Sequence, residues 1–388
     1  MRYFNLKHLQ RRAIMNCEKS ICRKQGKLAL ILSLLMVFGF LGMVGGVMPA
    51  AAFNEVDIQC GDIIGPHERV RLTQDIGPCA EFDGPVLTVV GPAVLDLNGH
   101  TVACQDESQD GILLEGERAR LVNGTVTGCE NGVVVDGAGR HKIYRINAEL
   151  NPGEAFLVYS DNNSFRWNTA DENQDSGFDV QGHGNKFLFN KISSNWEGFW
   201  VKGEGNKIIL NRLVENQGEG IEIVEGANES VVVMNRGTGN NKEAYRINSN
   251  DNNLSFNIAE DGFNDGFQID GDRNRLRYNC AKGNEDSGFR LRGDENRLSR
   301  NHARGNTQDG FEVEGNYNNL HRNFAKDNTG SGIVAEESKA ENNIITRNIA
   351  QNNGISYDNE YDLADENGAE VNTWRRNRFG TSNEDYIQ

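Results

Sequence analysis

The sequence predicts an all-β solenoid, a single-stranded parallel β-helix of about 12 coils, on two observations. The first is a glycine or alanine placed just before a short apolar segment. It recurs at Gly111, Gly132, Ala155, Gly177, Gly198, Gly220, Ala244, Gly266, Gly288, Gly310, Gly332 and Gly354, at intervals of 21 to 24 residues and most often 22. A fixed period of this size marks a repeat architecture that buries its core only by stacking. The second is a set of asparagines spaced five apart: Asn163, Asn168 and Asn173, then Asn185, Asn190 and Asn195, returning later as Asn274, Asn279 and Asn284.

The chain divides in order. Residues 1–27 carry eight Lys/Arg against one acid, Glu18, and an apolar run of 21 residues follows from Leu28 to Met48. Ala50 and Ala52 then form a small-residue cleavage pattern, so residues 1–52 are expected to be a secretory signal cut after Ala52. Left uncut, the run is long enough to act as a membrane anchor. The expected location is therefore secreted, periplasmic or cell-surface. Residues 53–105 are expected to cover the front of the solenoid and supply its first strands. Their cysteines Cys60, Cys79 and Cys104, with Cys129, form no CxxC pair and read as two disulfides, for which three connectivities exist. Cys60–Cys79 with Cys104–Cys129 is the expected pairing, giving a stapled cap. The fifth cysteine after the leader, Cys280, is read as structural.

Residues 106–354 carry the repeats. Each unit is rich in glycine and asparagine, and its apolar residues alternate as in Phe267/Ile269, Phe289/Leu291 and Phe311/Val313. That alternation fits short half-buried strands rather than the helical segment of a leucine-rich repeat. Three such strands and three corners use about 22 residues. Asparagine tolerates left-handed corners, and coils stack at about 4.8 Å. Each amide is therefore expected to sit at a corner, pointing inward to bond its counterpart in the next coil. Residues 355–388 are expected to close the rear, with Tyr357, Tyr361, Trp374 and Phe379 available to seal it.

The residues at 60–62 (CGD), the run LDLNGHTV at 95–102 and the repeated N-x-[IL]-x-x-N-x-A units resemble the right-handed parallel β-helix repeat proteins of the NosD-like, carbohydrate-binding and sugar-hydrolysis group. The resemblance implies a right-handed coil and a polysaccharide partner. Its fold hosts lyases, epimerases, glycoside hydrolases and inactive binding modules, so activity must be argued from sites. Gly182, His183 and Gly184 are similar to one motif of the polygalacturonases. The expected aspartates are missing, however: Thr169 is followed by Ala170, and no Asp-Asp pair stands between.

Without residues 1–52 the chain keeps 32 basic and 55 acidic side chains, a net charge of −23. That balance excludes a nucleic-acid partner and leaves anionic polymers only a local basic patch. No second long apolar run follows the leader, so a membrane would be met only through that segment, and a monomer is the expected state.

One row supplies such a patch. It lies just before the middle asparagine and reads Trp167, Phe189, Leu210, Met234, Phe256, Tyr278, Arg300, Arg322 and Arg347. Strict alternation would turn the row inward. Three stacked guanidinium groups without partners would be prohibitive there, whereas a bulge before the asparagine would turn it out. Facing out, its aromatics could stack on sugar rings while its arginines grip carboxylate or sulfate. Trp167, Phe189, Phe256, Tyr278, Arg300, Arg322 and Arg347 are thus candidate binding residues. A second set lies at outward strand positions, Trp200, Arg246 and Arg290, within a row of mixed charge that also reads as a solvated face.

For catalysis on an acidic sugar, Tyr278, Arg300 and His321 are the candidates, with Arg neutralising a carboxylate and Tyr or His moving a proton. An acidic row before the strands, Asp110, Glu197, Glu219, Glu243, Asp265 and Asp309, is expected to cap corners. No cofactor is required, but Ca²⁺ could sit on this row, with Asp265 and Asp309 as its candidate ligands. The evenness of the intervals argues against loops folding over an active site. The alternative to polysaccharide binding or processing is therefore a non-catalytic surface or matrix protein using the coils as an interaction scaffold.

Overall fold

A computed structural model describes residues 53–388 apart from 56, 81–82, 106–107, 337–339, 355–360 and 369–370. The leader and Tyr357 lie outside the described residues. Within them the chain is all-β, built of strands mostly three residues long that stack in three parallel ladders. One coil comprises Phe267–Ile269, Arg275–Arg277 and Cys280–Lys282, and the next comprises Phe289–Leu291, Arg297–Ser299 and His302–Arg304. Their register pairs Phe267 with Phe289, Leu276 with Leu298 and Ala281 with Ala303. The 22-residue period is therefore the circumference of one coil.

The first ladder has 14 strands, from Ile63–Ile64 to Leu363–Asp365. Coils thus extend past the sequence marks at both ends. At the front, Ile63–Ile64 and Leu87–Val90 precede the strand that follows Gly111. At the rear, the segment expected after Gly354 falls in 355–360, outside the described residues, and Gly354 itself has φ of 68°. It lies at a corner, its N–H on the Gly330 carbonyl, and the strand paired with Ile333–Ala335 is Leu363–Asp365. The disulfides Cys60–Cys79 and Cys104–Cys129 staple the front, as expected. At the far end Trp374 is buried with its indole N–H on Asp365 Oδ2 at 2.7 Å, and Phe379 and Tyr386 pack partly buried against the core.

The core is a set of stacks. In the first ladder Tyr245, Phe267, Phe289 and Phe311 lie ring on ring, with centroids 4.6, 4.7 and 4.8 Å apart. The third ladder answers these large rings with Ala259, Ala281, Ala303 and Ala325, all fully buried. Large against small fills a narrow tube at crystal-like density.

Asparagine ladders hold the three corners. The N–H of Asn257 donates to Asn279 Oδ1 at 2.9 Å, that of Asn279 to Asn301 Oδ1 at 2.9 Å, and that of Asn301 to Asn323 Oδ1 at 2.9 Å. The side-chain amides bond to one another as well, Asn279 Nδ2 to Asn301 Oδ1 at 3.1 Å. They also reach back to the inner strand, Asn279 Nδ2 to the Leu254 carbonyl at 3.0 Å. The amide-to-amide ladder matches expectation, and the backbone N–H is its more regular donor.

The corner geometry corrects one expectation. The left-handed residue is the one before each asparagine, not the asparagine itself. Arg273, Tyr278 and Gly283 precede Asn274, Asn279 and Asn284 with φ of 55°, 57° and 67°. Such a conformation costs a non-glycine residue about 1–2 kcal/mol, which the buried hydrogen bonds of the following asparagine offset.

Two substitutions separate these terms. Asn279→Ala leaves the Asn257 N–H buried without an acceptor and is expected to cost about 1–3 kcal/mol in denaturant unfolding. Glu172→Gly, at an exposed corner with φ of 55°, relieves the left-handed strain and is expected to raise stability by up to about 1 kcal/mol.

Candidate functional site

The left-handed corner decides which way the aromatic and arginine row points. Trp167, Phe189, Leu210, Met234, Phe256, Tyr278, Arg300, Arg322 and Arg347 all have φ between 57° and 60°. The turn breaks the inward–outward alternation, so their side chains emerge from the corner while the following asparagine turns in. Trp167 is 46% exposed. Its ring lies parallel to Phe189 at 5.9 Å, Phe256 stacks on Tyr278 at 4.9 Å, and the Arg300 guanidinium stands 5.4 Å from the Tyr278 centroid. The row is a continuous outer ridge, aromatic in its first part and cationic in its last.

The cationic part is wider than the row. The strands beside it carry Arg275, Arg277 and Arg297 at outward positions, and the last coil adds Arg375 and Arg376. None of these arginines, nor Arg300, Arg322 or Arg347, makes an ion pair with a described carboxylate. Several arginines elsewhere do: Arg140 with Glu117, Arg236 with Glu260, Arg273 with Asp251 and Arg304 with Asp327. His321 lies among the unpaired set, its Nδ1 3.0 Å from Thr346 Oγ1. Burial, then the charges of Arg322, Arg347 and Arg300, hold His321 below the usual imidazole range. Tyr278, Arg300 and His321 thus share one flank on three successive coils.

The outward residues of the first ladder form a different surface, and their cations are engaged. Lys202 pairs with Asp179 at 3.0 Å and caps the Trp200 ring at 3.5 Å. Arg246 reaches Glu219 at 3.4 Å and Glu222 and Asp270 at 3.8 Å. Arg290 reaches Glu314 at 2.7 Å and Glu312 at 3.2 Å. Trp200, Arg246 and Arg290 therefore sit inside an ion-pair lattice and apart from the flank that carries Arg300.

The acidic row runs along the edge of this surface. Asp265 Oδ1 accepts the Ser287 N–H at 2.9 Å, Asp309 Oδ1 accepts that of Ser331 at 2.5 Å, and Asp110 Oδ1 accepts the Asn131 amide at 2.8 Å. These three tie one corner to the next. Asp265 is 1% exposed, and burial, then the charges of Asp286 and Glu312, push its carboxyl up to about 8. Oxygens of Glu197, Glu219 and Glu222 come within 4.8 Å of one another, the one grouping with metal-ligand spacing among the described residues. Such carboxylates could hold a hard cation, although Lys242 and Arg246 each stand 3.4 Å from Glu219. The sequence candidates Asp265 and Asp309 lie outside this trio. The row position of Glu197 and Glu219 was readable in the sequence. That Glu222, on the strand, completes the group was not.

Comparison with known proteins gives a family and a fold. The model of the family described as "Right handed beta helix region" matches residues 97–212 and 184–316. No curated protein matches the chain by sequence. Among solved structures, the periplasmic alginate epimerase AlgG is 14% identical with a TM-score of 0.51, over 81% of this chain and 77% of that one. A PL6 family alginate lyase, AlyGC, is 12% identical with a TM-score of 0.52, over 85% of this chain and 50% of that one. At such identities the likeness is one of fold.

Asp265 yields a pH prediction with a definite sign. Burial pushes its carboxyl up to about 8, far above the ordinary aspartate value of about 4 that it keeps when unfolded. The folded state therefore holds an extra proton between those values, and stability falls as pH rises from about 4 to about 8. Melting temperature followed across that window should decline, and Asp265→Asn should flatten the decline. A residual slope is expected from Glu154, which burial raises to about 7.

Proposed function

The chain belongs to the right-handed β-helix family, and from that premise we propose that it binds an acidic polysaccharide lengthwise along its arginine-bearing flank. The observation that carries this reading is the set Arg275, Arg277, Arg297, Arg300, Arg322 and Arg347, gathered on one flank with no ion pair to a described carboxylate, whereas nearby Arg236, Arg273 and Arg304 are paired. In a protein this acidic, leaving such a cluster uncompensated favours an anion from outside. The coils repeat at about 4.8 Å, so the guanidinium groups form a regular file. Their planar forks suit carboxylate or sulfate. The aromatic ridge ahead of them, Trp167, Phe189 and Phe256, offers flat apolar faces to sugar rings. The alginate epimerase and lyase of similar fold act, by their names, on an acidic polysaccharide. The two disulfides suit an oxidising, exported location. No helix among the described residues is long and apolar enough to cross a membrane.

A second reading, that the flank also acts chemically on a uronate, is favoured by His321. Burial and three arginines disfavour its charged form, which suits a base taking the proton beside a carboxylate that those arginines neutralise. Tyr278 would supply the proton on the other side. Mass analysis of products after incubation with polyuronate separates this reading from binding alone.

The binding reading is tested by Arg300→Ala, Arg322→Ala and Arg347→Ala, singly and combined. Each single change is expected to weaken polyuronate retention about tenfold at low salt, with a smaller loss at higher salt, where the native contact is itself screened, and an unchanged melting temperature. Tyr278→Phe and His321→Ala should retain binding better than Arg300→Ala. Undiminished retention in the triple variant would remove the proposal.

A further inference from the structure

The outward face of the second ladder is almost free of acids. This ladder runs from Arg69–Arg71 to Thr373–Arg375, and in each strand the middle residue turns in while the two beside it turn out. At those outward positions the one described acid is Asp96, which Arg71 holds at 3.2 Å. The other faces mix their charges: on the third ladder Asp171 pairs with Lys191, and Glu260 with Arg236 and Lys282. Cations of the second ladder gather toward both ends. Arg275, Arg277 and Arg297 belong to the flank already described. Far in front of them Arg120 and Lys142 lie in register on adjacent coils. Arg118 and Arg140 join them at the corner, around a hollow of about 380 Å³. Arg140 and Arg118 share Glu117, at 2.5 and 3.5 Å. Arg120 and Lys142 are exposed and make no ion pair with a described carboxylate.

Like charges set opposite each other on neighbouring strands repel. The positions in register on either side of Arg120 and Lys142 are Val94 and Ser164, where an acid would have relieved them. An anion from outside would do the same. From Lys142 the register runs through Ser164, Lys186, Lys207, Val231 and Asn253 to Arg275. That is six coil steps, about 29 Å at strand spacing. Lys186 and Lys207 stand exposed along the path, unpaired with any described carboxylate, and the parallel rings of Trp167 and Phe189 border it at the corner. We propose that Arg118, Arg120, Arg140 and Lys142 form a second anchor for the acidic polysaccharide, so that one polymer chain bridges the face from the front coils to the arginine flank. This rests on the flank reading above and adds to it a second, separate grip. Two grips on one chain strengthen binding through effective concentration, with no contact between them.

The test is calorimetric titration with polyuronate and with a uronate trisaccharide, which is too short to bridge six coils. Arg120→Ala with Lys142→Ala is expected to lower polymer affinity about tenfold, and the polymer's advantage over the trisaccharide should shrink with it. Both side chains are exposed, and an unchanged melting temperature verifies that the variant is folded. Lys191→Ala with Arg212→Ala makes the same change of charge on the third ladder and should leave polymer affinity within about twofold of the native value, since those positions lie off the path. Polymer affinity that the front pair leaves unmoved, or that the third-ladder pair lowers equally, overturns the second anchor. In either case loss of retention in the Arg300, Arg322 and Arg347 variants leaves the flank reading standing. Affinity that falls with the front pair but survives the Arg300, Arg322 and Arg347 triple overturns the flank and the bridge together. Absence of polymer binding by the native protein also overturns both.

Discussion

Everything in this molecule depends on one hydrogen bond, given by the backbone N–H of a ladder asparagine to the side-chain oxygen of the asparagine one coil ahead. The bond is available only if the chain turns sharply just before the asparagine, so that its amide and its N–H both face the lumen. That turn is bought with a left-handed residue, whatever its type: Tyr278, Arg300 and Glu295 adopt nearly the same φ of 57°. Because the corner is enforced by the asparagine behind it, the residue at its apex is released from packing. Aromatic and charged side chains can then occupy one structural position in successive coils.

The same release explains how the charges are distributed. On the first ladder, outward residues lie on a shallow surface where side chains of neighbouring coils touch, and Arg246 and Arg290 are each engaged by two or more carboxylates. At the apex corners and on the strands beside them, arginine follows arginine through Arg275, Arg297, Arg300 and Arg322 with no acid in register. The arginines of the first ladder thus serve the packing of that surface, while those of this flank are the ones to which the polysaccharide proposal assigns an anion from outside.

Much of this was legible in the sequence. The glycines before apolar triplets and the asparagines five apart fix the coil, its circumference and its inward residues, because those positions admit few alternatives inside a tube. The direction of the Trp167 to Arg347 row was legible only as a choice, since alternation and a bulge predict opposite faces and the deciding torsion belongs to a residue type that rarely adopts it. Ion pairing was not legible. Arg290 and Arg297 look equivalent in the chain and differ in the carboxylates that other coils bring near.

The ladders also have a direction. The backbone donors of the ladder residues face the following coil, from His141 onto Asn163 to Asn343 onto Asn372 near the end. The last members need an acceptor that requires no successor, and the chain provides one: Asp362 Oδ1 takes the Asn353 N–H at 3.0 Å while its other oxygen takes that of Gly380 at 2.7 Å. A carboxylate in place of an amide thus acts as a full stop in a grammar of amides. Whole 22-residue modules can be gained or lost in the middle of such a protein by duplication or deletion, changing its reach in steps of one coil.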